Sequence, residues 1–211
     1  MKTLKAVITA DIVNSSLLGN RALNSLLKSL EKQFNAKGLK FGFYRGDSFH
    51  ALCEVSEALK LTCIVRTLAV KTSEKHGEKG CDIRISIGIG RINEPVKELG
   101  IAKGEAFVLS GREMDKLEKN GPRLAIRCPD ALADTGLSSI ALFTDFIITK
   151  MTVKQAEVVH ELLHGATQVE VAKRLKKTQS TVNKHAGSAH WNELLRLLEI
   201  YDKMTNLLIK S

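Results

Sequence analysis

The chain has 211 residues, 44% of them apolar and 26% charged, the make-up of a globular protein with room for one large domain or two small ones. No apolar run approaches the ~20 residues of a membrane span, Asp11 breaks the apolar core a signal peptide needs, and Cys53, Cys63, Cys81 and Cys128 lack the paired spacing of a zinc site. A cytoplasmic protein with reduced thiols is therefore expected, and its net charge of +9, with both parts basic about Lys150 (23 basic and 17 acidic residues through it, then 9 and 6), suits phosphate-bearing partners.

A strand-like run, Leu4 to Ala10, ends at Asp11. Asn14, Ser15 and Ser16 are helix-capping types, and Leu17, Leu18, Leu23, Leu26, Leu27, Leu30 and Phe34 recur at helical spacing, predicting a helix over 17–36. Apolar alternation from Phe41 to Leu52, broken at Arg45-Gly46-Asp47, predicts a hairpin with Asp47 at its tip. A helix follows from Ser56 to His76, then a loop over Gly77–Gly80 and a strand over Asp82–Gly90 with strict alternation and two late glycines. Residues 104–118 read as a helix or a strand-to-helix turn, Arg123–Arg127 as a short strand and Pro129–Ile148 as a helix. Strand, helix, hairpin, helix, strand is the split arrangement of ferredoxin-like palms. Two acids near strand ends, Asp11 and Asp47, are a way for a small sheet to hold Mg²⁺ beside a phosphate. The alternative is that Asp11 caps the next helix and Asp47 is a turn residue.

After Met151 the texture changes. Thr152 and Gln155 have capping-box spacing, Val158, Val159, Leu162 and Leu163 form an apolar stripe, and Gly165 ends the helix. Thr167 caps a short helix carrying Val171, Ala172 and Leu175, and after Lys176-Lys177-Thr178 a third helix opens with polar residues. That is the spacing of a helix-turn-helix, a pattern that three-helix bundles without DNA affinity share. In the DNA-binding reading Gln179, Ser180, Thr181, Asn183 and Lys184 meet bases or phosphates, while Lys173, Arg174, Lys176 and Lys177 hold the backbone. The wide apolar stripe from Trp191 to Leu208 suggests one face on the bundle and another on the N-terminal domain or a second copy, so a homodimer is expected. The six histidines form no cluster with a mechanism; His160 and His164 lie four apart without a third ligand.

The stretches Ala10-Asp11-Ile12-Val13, Arg45-Gly46-Asp47-Ser48-Phe49, Ile83 to Gly90 and Gly104-Glu105-Ala106-Phe107 resemble the palm of class III nucleotidyl cyclases and, more distantly, of diguanylate cyclases. With Asn14-Ser15 and Ser110-Gly111-Arg112 the likeness is closer to the bacterial SatD family, many of whose members place a helix-turn-helix after a cyclase-like domain. The segment from Met151 to His185 is similar to the helix-turn-helix of sigma factors and LuxR-type regulators. The resemblance implies an α+β architecture: a nucleotidyl cyclase-like palm over 1–148, then an all-α helix-turn-helix domain over 149–211. It implies Asp11, Asp47 and the Ile12 carbonyl as ligands of Mg²⁺ or Mn²⁺, Arg112 as the residue that stabilises a transferring phosphoryl group, and Arg45, Asn14 and Ser15 beside a bound nucleotide. Two departures remove parts that cyclisation needs. Val108 stands where a ribose-positioning Asn is expected, and Phe43 where a base-reading Lys is. The leading expectation is a DNA-binding regulator with a ligand-holding cyclase-like domain. The alternative is a metal-dependent cyclase or nucleotidyltransferase with an appended DNA-binding module.

Overall fold

Strand β1 (Lys2–Val13) is the middle of a five-stranded sheet because its two edges pair, both antiparallel, with β3 (Ser48–Cys53) and β4 (Asp82–Asn93). β2 (Lys40–Tyr44) completes a hairpin with β3, and β5 (Leu124–Arg127) adds parallel to β4, giving the order β2-β3-β1-β4-β5. The computed structural model describes residues 2–15, 18–44, 46–73, 81–117 and 121–210. Helix α1 (Asn20–Ala36) joins β1 to the hairpin and α2 (Ala58–Ser73) joins the hairpin to β4. The first four strands with these helices are thus the split β-α-β-β-α-β arrangement. Helices α3 (Glu105–Lys116) and α4 (Ala131–Thr149) flank β5 in sequence.

Alternation decides which face each residue takes. Ala6, Ile8, Ala10 and Ile12 of β1 and Ile83, Ile85, Ile87 and Ile89 of β4 point into the main core with α1, α2 and α4. The opposite face carries Val7, which packs with Ile92 and Ala106 on the α3 side. The late glycines of β4 are there for packing rather than turning. A Cβ on Gly88 would strike the Ala106 carbonyl and the Ser110 amide, and one on Gly90 the Ala106 amide.

Several boundaries differ from the sequence reading. β1 continues two residues beyond Asp11, since its pairing with β4 runs to Val13 opposite Asp82. Helix α1 starts at Asn20 with Gly19 before it and no side-chain cap, so Asn14 and Ser15 do not cap it; Ser16 and Leu17 lie outside the described residues, as do 74–80, where α2 was expected to end. Residues 104–118 resolve into a helix, with Glu118 outside the described set.

Beyond α4 come α5 (Val153–Leu163), α6 (Gln168–Arg174), α7 (Gln179–Ser188) and α8 (Trp191–Lys210). The expected capping box of Thr152 with Gln155 forms, and Thr167, expected as a cap, does so within a second capping box with Glu170. Helix α5 is apolar on two sides. Ala156, Val159 and Leu163 join the main core, while Val158 and Leu162 join a second cluster with Val171, Ala172, Val182 and Ala186. Leu194 and Tyr201 of α8 also enter the main core, where the Tyr201 hydroxyl donates to the Val55 carbonyl at 2.8 Å.

Candidate functional site

The β3-β1-β4 register places Ser48, Asp11 and Arg84 in one row across three strands. Side chains directly opposite on neighbouring strands interact, and here they do so at the end of the sheet where the hairpin turns. The Ser48 hydroxyl lies 3.4 Å from Asp11 Oδ1 and 3.3 Å from Asp47 Oδ1, so two carboxylates converge on one hydroxyl. The Asp47 carbonyl accepts from the Ile12 amide at 3.0 Å, which ties the turn to β1. Asp47 Oδ2 accepts from the Ser15 hydroxyl at 2.6 Å. Arg84 donates to the Leu117 carbonyl at 3.2 Å and approaches Asp11 at 4.0 Å, while its buried Nε has no hydrogen-bond partner among the described residues.

These groups open onto a cavity of about 570 Å³, lined also by Val13, Asn14, Gly121, Arg123, Asp145 and Thr149. Asn14 holds a positive φ of 56°, a conformation Asn tolerates better than most residues. The far wall is built on Arg66, which has 0% exposure. Its guanidinium forks onto Asp82 at 3.0 and 2.7 Å and reaches Asp145 at 2.6 Å and Thr149 Oγ1 at 3.0 Å. Arg123 in turn donates to Asp82 at 2.8 Å, and its amide to Asp145 at 3.1 Å. Burial works against the charges of Asp82 and Arg66. It pushes the Asp82 carboxyl up, but Arg66 and Arg123 outweigh it and leave the carboxyl below its ordinary range. Burial likewise opposes the Arg66 charge, and Asp82 and Asp145 hold it on. The four charges sum to zero, and the Arg123 side chain remains partly open to the cavity.

Among the described residues no group of three His, Cys, Asp or Glu side chains is placed to hold a metal ion. Asp11, Asp47 and Ile12 do line one mouth, and Mg²⁺ is commonly held by one or two carboxylates with the rest supplied by water and phosphate oxygens. The donor set therefore fits a divalent cation that arrives with a phosphate, and Arg84 and Arg123 sit where they can meet the phosphate charge.

Of the sequence-derived site residues, Asp11, Ile12, Asn14, Ser15 and Asp47 are brought together; Arg45 lies outside the described residues. Arg112 is exposed on α3 and does not line the cavity, and Val108 is exposed on the same helix. Phe43 is part of an aromatic cluster, 5.8 Å from Phe41 and 5.9 Å from Phe49 between ring centroids. Sequence reading missed Arg84, Arg123, Asp145 and Thr149. Alternation put Arg84 on the face opposite the isoleucines, yet only the register could set it beside Asp11.

In the C-terminal helices Val182 and Ala186 bury one side of α7 against Val171 and Ala172. Gln179, Ser180, Asn183 and Lys184 are exposed on α7, as are Lys173, Arg174 and Lys176 around the preceding turn. Three members of the expected DNA set are engaged within the chain. Arg174 pairs with Glu161 at 3.1 Å, Lys177 with Glu157 at 3.8 Å, and Thr181 Oγ1 with Thr178 Oγ1 at 2.8 Å.

No family model and no curated protein matches the chain. Among solved structures, a bacterial light-regulated adenylyl cyclase aligns at 13% identity over 60% of this chain and 76% of its own, with a TM-score of 0.43. The active GGEEF domain of a diguanylate cyclase from Vibrio cholerae aligns at 16% identity over 61% and 84%, TM-score 0.42. The guanylyl cyclase Cya2 aligns at 12% identity over 69% and 79%, TM-score 0.42. These are loose likenesses to cyclase structures, each spanning part of the chain.

Proposed function

We propose that the chain is a SatD-like DNA-binding regulatory protein whose sheet-bearing part takes a nucleoside polyphosphate together with Mg²⁺ or Mn²⁺ as a sensed ligand. The observation that carries the ligand half is the meeting of two carboxylates, Asp11 and Asp47, and two guanidinium groups, Arg84 and Arg123, at one cavity. A bound divalent ion would neutralise phosphate charge there. Asp11 and Asp47 hold its position, Ser15 and Ser48 orient those carboxylates, and the two arginines take the remaining phosphate oxygens. Binding rather than cyclisation is supported by the exposed position of Arg112 and by Phe43, a packed ring that cannot hydrogen-bond a base. The DNA half is supported by the polar, exposed first turns of α7 beside Lys173 and Lys176.

Titration calorimetry of the full chain with ATP, GTP, CTP and UTP, in Mn²⁺ and in EDTA, tests the first half. Metal-dependent binding that disappears in the Asp11→Ala, Asp47→Ala double variant is expected; no heat with any triphosphate defeats it. For the second half, duplex DNA affinity should fall with salt. With Arg174 and Lys177 held by glutamates, about three lysines (Lys173, Lys176, Lys184) are left for phosphates, and the slope of log affinity against log salt is expected near −3. A slope near zero rules out this mode of binding.

A further inference from the structure

The buried wall of the cavity is also where the sheet-bearing part meets the C-terminal helices. Arg66, which holds Asp82, Asp145 and Thr149, is followed on α2 by Thr67, whose hydroxyl lies 3.1 Å from Nδ1 of His160 on α5. Arg66, Thr67 and His160 are all buried. One turn further along α2, Lys71 reaches Glu161 of α5 at 4.0 Å. Two successive residues of one helix therefore face different neighbours: Arg66 the acids of the cavity wall, Thr67 the first of the C-terminal helices. The other path between these regions, the chain itself, is pinned. Between Thr149 and the α5 cap Thr152, Met151 is buried in the main core and its amide donates to the Ile148 carbonyl at 3.1 Å.

Arg123 is the member of the wall that can turn. Its amide is bound to Asp145 at 3.1 Å, but its side chain is 30% exposed and lines the cavity. A phosphate in the cavity offers this guanidinium a second anion, reached by rotating the side chain while the backbone stays in place. Asp82 Oδ2 is then left, among the described residues, to Arg66 Nη2 at 2.7 Å. With Asp82 only 2% exposed, solvent does not take the place of Arg123, and the buried carboxylate draws Arg66 instead.

We propose that occupancy of the cavity by a phosphate-bearing ligand is transmitted to α5 along α2. Arg123 exchanges Asp82 for the phosphate, Arg66 re-seats on Asp82, and Thr67 carries the displacement to His160. The inference rests on the ligand half of the function proposed above and adds how that ligand is read. A close-packed interior answers such an exchange by a step between two arrangements rather than by gradual deformation. Trp191, the single tryptophan of the chain, packs against both the main core and the cluster that α5 forms with α6 and α7. Its emission therefore reports how α5 is seated.

Titrating the full chain with each of ATP, GTP, CTP and UTP in Mg²⁺, by calorimetry and by Trp191 emission, tests this. Heat and a shift in emission that saturate together are expected. Thr67→Val keeps the side-chain shape and removes the hydroxyl. It should bind the triphosphate within about 2-fold of wild type, as a site remote from the cavity, and lose the emission shift; Thr67→Ser should restore the shift. Should Thr67→Val fail to fold, the ring proton signals of His160 in the wild type decide, since the ligand must shift them. Heat that leaves Trp191 and His160 unmoved overturns the inference while the ligand reading stands, and so does an emission shift that Thr67→Val retains. No heat with any triphosphate defeats the ligand reading and this inference with it.

Discussion

Arg66 is the residue on which the far wall of the cavity rests, since it holds Asp82, Asp145 and Thr149 at once. Removing one partner of a buried ion group strands the others without water. Arg66→Met is therefore expected to cost about 3–5 kcal/mol, read as a lowered urea midpoint, whereas replacing Arg66, Asp82, Asp145 and Arg123 together with apolar residues costs far less. His160 makes a second prediction. Its Nδ1 lies 3.1 Å from Thr67 Oγ1, and burial, with Lys71 and His164 adding, pushes its pKa down from 6.5 to about 3. Between those values the unfolded chain binds a proton that the folded chain does not, so stability falls as pH falls, at up to about 1.4 kcal/mol per pH unit. Melting at pH 7 and pH 5 should show a loss of about 2 kcal/mol from this group in the wild type. In His160→Gln that part of the slope should vanish; an unchanged slope would show that His160 is not its source.

At the scale of elements, β4 and the helix caps carry the expectations. Gly88→Ala should destabilise by about 1–3 kcal/mol, because α3 must move away from the strand to admit the methyl group. A melting temperature equal to wild type would mean that α3 yields freely. Thr152→Ala removes the side chain that caps α5 and should cost about 1 kcal/mol, measurable by denaturant titration. Both caps were legible in the sequence because a capping box is a local pattern with its partners three residues apart. The glycines of β4 were visible too, but their purpose was not. It depends on where α3, about twenty residues later, comes to lie.

The whole molecule hangs on helices that enter the main core late in the chain. Ala156, Val159, Leu163, Leu194 and Tyr201 pack in the same apolar cluster as α2 and β4. A chain ending at Thr149 would leave that side of α2 uncovered. Truncation there is expected to abolish cooperative melting, and a sharp melt of residues 1–149 would show that the N-terminal part closes its core alone.

The sequence by itself determined the element order, the hairpin with Asp47 at its turn, the alternation of β4 and the capped helices after Met151. Those features depend on residues within a turn or two of one another, and short-range periodicity reports them. Only the tertiary structure decided which side chains share the cavity. Asp11 meets Arg84 through β1–β4 register, and Arg123 and Asp145 reach the same space through a buried arginine on α2. Such meetings follow from the packing of segments far apart in the chain, where a slip of one residue in register would turn each side chain to the other face.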